Sequence, residues 1–217
     1  MSGRLVVFDV DGTLVDSQRQ ILASMAAAFA LLGRPMPPRA VALSVVGLSL
    51  PQALARLMPD VGAADLARME AEYRAGFAGG GEAGQAPLYP GARAALDGLA
   101  AREGVLLGVA TGKSRRGLNR VLAHHRLAGH FATTQVADDH PSKPHPAMLL
   151  AALAETGAAP GVMVGDTSFD IEMGRAAGFR TIGVAWGYHP VAALHAAGAD
   201  LVIGGFAELA GALEALE

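Results

Sequence analysis

The 217-residue chain holds 17 lysines and arginines against 20 aspartates and glutamates, a formal net charge of −3, and no cysteine. That balance gives no overall attraction to nucleic acid or to an anionic membrane. The missing thiols exclude a disulfide scaffold, a thiolate metal site and a cysteine nucleophile, and the length allows one large domain or a core with a smaller insert.

The chain enters strand-like residues almost at once, with Leu5 to Phe8. It shows no basic segment followed by a long apolar run and a small-residue cleavage site, so no secretory signal is expected. The longest apolar runs, Met25 to Leu32 and Ala147 to Ala154, fall short of a spanning helix. A cytoplasmic protein with no membrane and no nucleic-acid partner is the expectation, as monomer or homodimer. The first strand then ends on Asp9-Val10-Asp11-Gly12-Thr13. Two acids so close at the end of a core strand carry a cost, since like charges repel and burial penalises each.

Residues 17 to 84 are poor in strand-like runs. Gln20 to Leu32, Leu50 to Met58 and Ala64 to Phe77 read as helices, punctuated by Pro35, Pro37, Pro38 and Pro59, and Gly79 to Gly81 with Gly84 mark a flexible exit. This block, residues 16–85, is expected to be an all-helical cap inserted into an α/β core of residues 1–15 and 86–217. Its connectors, Leu14 to Ser17 and Glu82 to Pro90, would serve as hinges.

The remainder alternates. Helical stretches Ala92 to Arg102, Ser114 to His125, Ala147 to Glu155, Phe169 to Ala177 and Ala207 to Leu216 separate apolar runs Val105 to Ala110, Thr133 to Val136, Val162 to Val164, Thr181 to Ala185 and Leu201 to Ile203. Such alternation predicts a doubly wound parallel α/β sheet covered on both faces.

Ligands of such sheets sit beyond the carboxyl ends of the strands. Those ends carry Asp9 and Asp11, then Thr111-Gly112-Lys113-Ser114, then His140 to Pro144 with Lys143, then Gly165 to Asp170. Residues two apart in extended chain point to one side, roughly 6.6 Å apart, so Asp9 and Asp11 can reach one small ligand from different angles. Asp166 and Asp170, four apart at a helix start, can share a face. Oxygen donors without His or Cys favour Mg²⁺. Thr111 and the free N–H groups of the next helix offer donors to phosphate, and Lys143 adds a point charge. The set describes a phosphoryl-transfer site with one carboxylate spare as nucleophile. Taken singly each piece has a plainer reading: Thr111 as a helix cap, Lys143 as a solvated loop lysine, Gly165 to Asp170 as an ordinary N-cap.

The joint pattern resembles the haloacid dehalogenase superfamily of phosphatases. The match rests on D-x-D-x-T (Asp9, Asp11, Thr13), Thr111, the lysine of "SKPHP" (Lys143) and G-D-x-x-x-D (Asp166, Asp170). "DVDGTLVDS", "YPGARAAL" and "SKPHPAML" are most similar to phosphoglycolate-phosphatase-like members with a helical C1-type cap. The resemblance implies Asp9 as nucleophile and Asp11 as proton shuttle. It implies Mg²⁺ held by Asp9, the Asp11 carbonyl and Asp166, with Asp170 a direct or indirect partner. Thr111 and Lys143 would bind the phosphoryl group together with Asp11, Gly12 and backbone at Gly112, and Gly12 would permit the turn that aims Asp11 inward. The implied substrate is a small phosphorylated metabolite, phosphoglycolate being favoured. A sugar phosphomutase and a non-catalytic phosphate-binding module stay open, while a dehydrogenase is disfavoured because no G-x-G-x-x-G follows the first strand.

Around this set, Lys113 and Arg115 are expected at a solvated helix start, although both could reach a substrate carboxylate. The run Arg115 to Arg126 reads as a solvated face, and adjacent His124 and His125 diverge too far to chelate one ion. Gly47, Leu48 and Ser49 are expected to line the pocket from the cap. Trp186 and Tyr188 read as packing residues near the rim.

Overall fold

The computed structural model describes residues 3–79 and 86–216. In chain order the elements begin with β1 (Arg4–Phe8), followed by α1 (Gln18–Leu31), α2 (Arg39–Leu43), α3 (Leu50–Leu57) and α4 (Ala63–Gly79). Then come α5 (Ala92–Ala100), β2 (Val105–Thr111), α6 (Arg115–His124), β3 (Thr133–Val136), α7 (Ala147–Thr156), β4 (Ala159–Gly165) and α8 (Ser168–Ala176). The chain closes with β5 (Arg180–Val184), α9 (Val191–Ala196), β6 (Leu201–Ile203), a 3-10 turn at Phe206–Glu208 and α10 (Leu209–Glu214).

The strands form one parallel sheet in the order β3-β2-β1-β4-β5-β6. Period-two alternation explains how one short strand serves two cores. Val6 and Phe8 of β1 join Val109, Val164 and the helix residues Leu96, Leu118 and Leu213 on one face. Leu5 and Val7 join Met163, Met148, Leu149 and Met173 on the other. After β3 the chain returns to lie beside β1 as β4, so the strand order reverses there. Phe8 pairs with Val109 on one side and Val164 on the other. The residues that follow, Asp9 just after β1, Ala110-Thr111 at the end of β2 and Gly165-Asp166 at the end of β4, are therefore brought level at one sheet edge.

The expected strands and helices all appear, with ends shifted by a few residues. Two helices were not foreseen. Both α2 and α9 start directly after a proline, Pro38 and Pro190, and are too short to display a helical apolar period. The last expected helix begins as the 3-10 turn before α10 takes over.

Helices α1 to α4 follow one another with no strand between them and share their own apolar cluster: Ile21, Met25, Phe29, Leu54, Met58 and Met69, joined by Phe169 of the core. The chain enters and leaves this block through paired backbone. Val15 bridges Leu88 in antiparallel fashion, Asp16 N donates to the Pro87 carbonyl at 2.9 Å, and Tyr89 N donates to the Leu14 carbonyl at 3.0 Å. Gly80, Gly81 and Gly84 of the expected exit, and the start of the second connector, lie outside the described residues.

The helical block is seated on the sheet edge. Ser49 N donates to Ser142 Oγ at 2.7 Å, Arg120 donates to the Phe77 carbonyl at 2.7 Å, and Arg74 lies 3.8 Å from Asp138. At Gly112 the two parts come so close that a Cβ would lie 2.6 Å from the Leu48 carbonyl oxygen and 2.8 Å from that of Gly47. Gly112→Ala is therefore expected to prop the helical block off the sheet edge. Steady-state kinetics should show KM raised about tenfold, the factor that about 1.4 kcal/mol represents, with the melting temperature nearly unchanged. An unaltered KM would show that this contact does not govern seating.

Candidate active site

Three carboxylates meet at the reversal of strand order. Asp9, Asp166 and Asp170 are all buried, and one oxygen from each lies within 4.8 Å of the others. Each is held by the local fold. Asp9 Oδ1 accepts from Val10 N at 2.6 Å. Asp166 accepts from Thr13 Oγ1 at 3.0 Å and from Tyr188 N at 2.8 Å. Asp170 sits in the capping box that opens α8, its Oδ2 accepting from Thr167 N at 3.0 Å and Thr167 Oγ1 at 2.7 Å. Gly12, at φ +80°, passes so near Asp166 that a Cβ there would lie 2.2 Å from Oδ2. Only glycine fits the turn that follows Asp11 and passes over Asp166.

Lys143 is 0% exposed and reaches both Asp9 Oδ2, at 2.9 Å, and Asp170 Oδ1, at 2.6 Å. It is a buried ion-pair partner, not a solvated loop lysine. Burial alone would lower its pKa, but the Asp170 and Asp9 carboxylates outweigh burial and hold the ammonium above its ordinary range. One ammonium does not balance three buried acids. Burial, with Asp170 and Asp11 adding repulsion against the pull of Lys143, pushes the Asp9 carboxyl from 3.8 up to about 7. Burial and the neighbouring Asp170 and Asp9 raise Asp166 as well.

Asp11 faces elsewhere. Its carboxylate accepts from Lys113 Nζ at 2.7 and 2.8 Å and from Ser17 Oγ, whose hydroxyl in turn lies 3.0 Å from Tyr188 Oη. Here two expectations are corrected. The Lys113 side chain is 9% exposed and ion-paired, with Nζ 5.1 Å from the centre of the Phe77 ring. The chain turns inward between β2 and α6, so this lysine faces the cavity instead of solvent. Tyr188 is more than packing, because its backbone N–H fixes Asp166 and its hydroxyl supports the Ser17 bridge. Its hydroxyl is pushed toward the neutral form by burial and by Asp11. No sequence motif marks Tyr188; only its place after β5 hinted at a rim position. Trp186 does pack, against Tyr89 and Phe206, while its Nε1 donates to the Thr13 carbonyl at 3.1 Å.

Thr111 is buried at the end of β2 and is not the cap of α6. That role falls to Ser114, which accepts from Gly117 N. A cavity of about 500 Å³ lies between the sheet edge and the helical block, lined by Asp9, Asp11, Thr111 and Gly112 from below and by Gly47, Leu48 and Ser49 from above. Arg115 makes the expected exposed contacts with Asp139 and Thr134. The solvated-face reading of Arg115 to Arg126 holds at Arg116, which is exposed although it also lines the cavity, and is corrected at Arg120, which is half-buried there. His124 and His125 stack edge to face, and His125 Nε2 lies 2.9 Å from the Ala86 carbonyl, so they form no metal pair.

The comparisons agree with this geometry. The family model described as "Haloacid dehalogenase-like hydrolase" matches residues 6–184. The chain belongs to that family. Within it, the chain is of the phosphatase type, similar to phosphoglycolate phosphatases. A Dickeya dadantii protein described as "Probable phosphatase IndB" is 35% identical over 221 residues, covering 98% of this chain and 94% of its own length. Mycobacterium tuberculosis "Tyrosine-protein kinase PtkA" is 36% identical, covering 86% of this chain but only 64% of the longer protein. Yersinia pseudotuberculosis "Phosphoglycolate phosphatase" is 32% identical, covering 95% and 91% respectively. Among the described residues, no helix is long and apolar enough to cross a membrane.

The donor set fits a hard divalent cation. All three clustered groups are carboxylates, their bonds to the protein leave further lone pairs free, and their charge exceeds what Lys143 supplies. The raised Asp9 pKa gives this a measurable sign. At pH below 3.8 both folded and unfolded chains keep the Asp9 proton; between 3.8 and about 7 only the unfolded chain gives it up. The metal-free fold thus loses this contribution as pH rises through that window. Urea titrations of metal-free protein should show wild type losing ground to Asp9→Asn from about pH 4 to 7, whereas a pH-independent difference would contradict the assignment. Lys143→Met leaves Asp9 and Asp170 buried without their cation and should cost about 3–5 kcal/mol in the same titrations.

Proposed function

We propose that the protein hydrolyses a small organic phosphate monoester through an aspartyl-phosphate on Asp9, with Mg²⁺ as cofactor. The observation that carries this reading is the placement of Asp9, buried against Lys143, Asp166 and Asp170, beside a cavity that Asp11 also lines. Asp9, Asp166 and the backbone carbonyl of Asp11 would hold the cation, with Asp170 adjoining, and it would supply charge compensation for the phosphoryl oxygens.

Asp9 presents a carboxylate oxygen to phosphorus, and the bond from phosphorus to the ester oxygen breaks. The departing alkoxide takes a proton from Asp11. Asp11 then removes a proton from water, whose oxygen attacks phosphorus and releases inorganic phosphate and the free Asp9 carboxylate. Thr111 and the backbone N–H of Gly112 hold phosphoryl oxygens, and Lys143 offsets their charge. The Gly12 N–H is donated instead to the Val15 carbonyl at 3.0 Å. Ser17 and Lys113 keep the Asp11 carboxylate oriented in the cavity. Gly47, Leu48 and Ser49 screen the site from bulk water when the cap is seated, the helical block of residues 16–85 acting as that cap. Phosphoglycolate is the favoured substrate, supported by the names of relatives and by a cation at the cavity wall.

The test is phosphate release over a panel of phosphate esters, with and without EDTA. Wild type with Mg²⁺ is expected to release phosphate stoichiometrically. Asp9→Asn should remove turnover entirely and Asp11→Asn should lower it about 10²–10⁴-fold, the usual worth of a general acid–base. Wild-type turnover by Asp9→Asn would refute the covalent route. Isomerised sugar phosphate without free phosphate would indicate a mutase, and phosphate binding without any turnover a regulatory module.

A further inference from the structure

The start of α6 breaks local rules without structural return. Arg115 and Arg116 place positive charge in the first helical turn, where the helix dipole disfavours it. Arg116 and Arg120, four apart on one face, repel each other at a cost of a few tenths of a kcal/mol. Arg115 is repaid by Asp139 and Thr134. Arg120 meets only the Phe77 carbonyl, and Arg116 has no hydrogen bond or ion pair among the described residues. Both line the cavity with Lys113, while Arg74 on the opposite side is already engaged by Glu70. Local rules broken in this way mark functional positions more often than structural ones.

Much of the wall from the helical block is apolar, with Ile21, Met25, Val45, Leu50 and Ala53. An acid, Asp138, lines the cavity beside the start of α6, where its Oδ2 accepts from Arg115 N at 2.8 Å. The cavity thus offers three zones: a phosphoryl site at Asp9, a largely apolar wall from the helical block in which the cation Arg74 is paired with Glu70, and a cationic ridge on α6. Its volume of about 500 Å³ falls in the range that encloses drug-sized ligands and far exceeds a two-carbon acid.

We infer that the α6 ridge is a subsite for a second anionic group on the substrate, read by the guanidinium groups of Arg116 and Arg120 with Lys113 adjoining. This rests on the phosphomonoesterase reading of Asp9. The preferred substrates are phosphate monoesters whose alcohol carries a carboxylate or a second phosphate, groups that arginine binds in bidentate fashion. Phosphoglycolate is the smallest member of this class, and longer members fill the cavity better.

Matched ester pairs test this with Mg²⁺ present. Suitable pairs are 3-phosphoglycerate against glycerol 3-phosphate, 6-phosphogluconate against glucose 6-phosphate, and fructose 1,6-bisphosphate against fructose 6-phosphate. Wild type is expected to favour the doubly anionic member of at least one pair about tenfold or more in kcat/KM, equivalent to about 1.4 kcal/mol. Discrimination in the acid pairs alone would make the second group a carboxylate, and in the bisphosphate pair alone a phosphate. The Arg116→Gln, Arg120→Gln double variant should bring that ratio close to one, chiefly through KM, and Arg116→Lys, Arg120→Lys should restore part of it. A wild-type ratio near one in every pair would overturn the subsite while leaving phosphate hydrolysis standing. So would a double variant that slows both members equally. No phosphate release from any ester would overturn the hydrolytic reading itself.

Discussion

A buried ammonium holds the centre of this protein together. Lys143 comes from the loop before α7 and ends between Asp9, which follows β1, and Asp170, in the first turn of α8. Three segments distant in sequence are thus tied at one point, with no solvent to screen the charges. Such a cluster is tolerable only if every group is fixed, because a buried charge without a partner costs several kcal/mol. The capping box at Thr167, the Thr13 and Tyr188 bonds to Asp166, and the Val10 N–H on Asp9 supply that fixation. Each acid of the site is thus fixed by hydrogen bonds from the protein itself, the arrangement under which placed charges act on a reacting group with little reorganisation.

The same compactness shapes the region above it. Gly12 lets the chain turn against Asp166, and Gly112 lets the cap backbone lie on the sheet edge. Paired connectors at Val15 and Leu88 join cap to core. The two short stretches are held in register by these backbone bonds at the point where the helical block meets the sheet. Asp11 stands beside this junction, bound to Ser17 at the connector and to Lys113 at the start of α6. The proposed proton shuttle is thus linked to the connector through the Ser17 hydroxyl.

Much of this was legible in the sequence. Central parallel strands are covered on both faces and so are largely apolar, which made β1 and β2 stand out, and the acids that end β1 and open α8 were conspicuous because such groups are costly in a core. Less legible was anything decided by which way a side chain turns. Lys113 looks like an ordinary solvated residue at a helix start, and only the overlying helical block shields its side chain. Tyr188 acts largely through its backbone N–H, which leaves no signature in residue type. The short helices α2 and α9 escaped because they are set by prolines and by packing, not by an apolar period.

The sequence by itself determined the fold class, the helical insert, and the identity of Asp9, Asp11, Thr111, Lys143, Asp166 and Asp170 as one constellation. It could do so because apolar periodicity and the placement of costly polar groups are local properties of the chain. Only the tertiary structure decided which charges pair. It gave Lys143 to Asp9 and Asp170, gave Lys113 to Asp11, and left Arg116 and Arg120 facing the cavity. Pairing depends on distances between segments far apart in the chain and on how deeply each is shielded from water. Both are fixed only when sheet and cap close on each other.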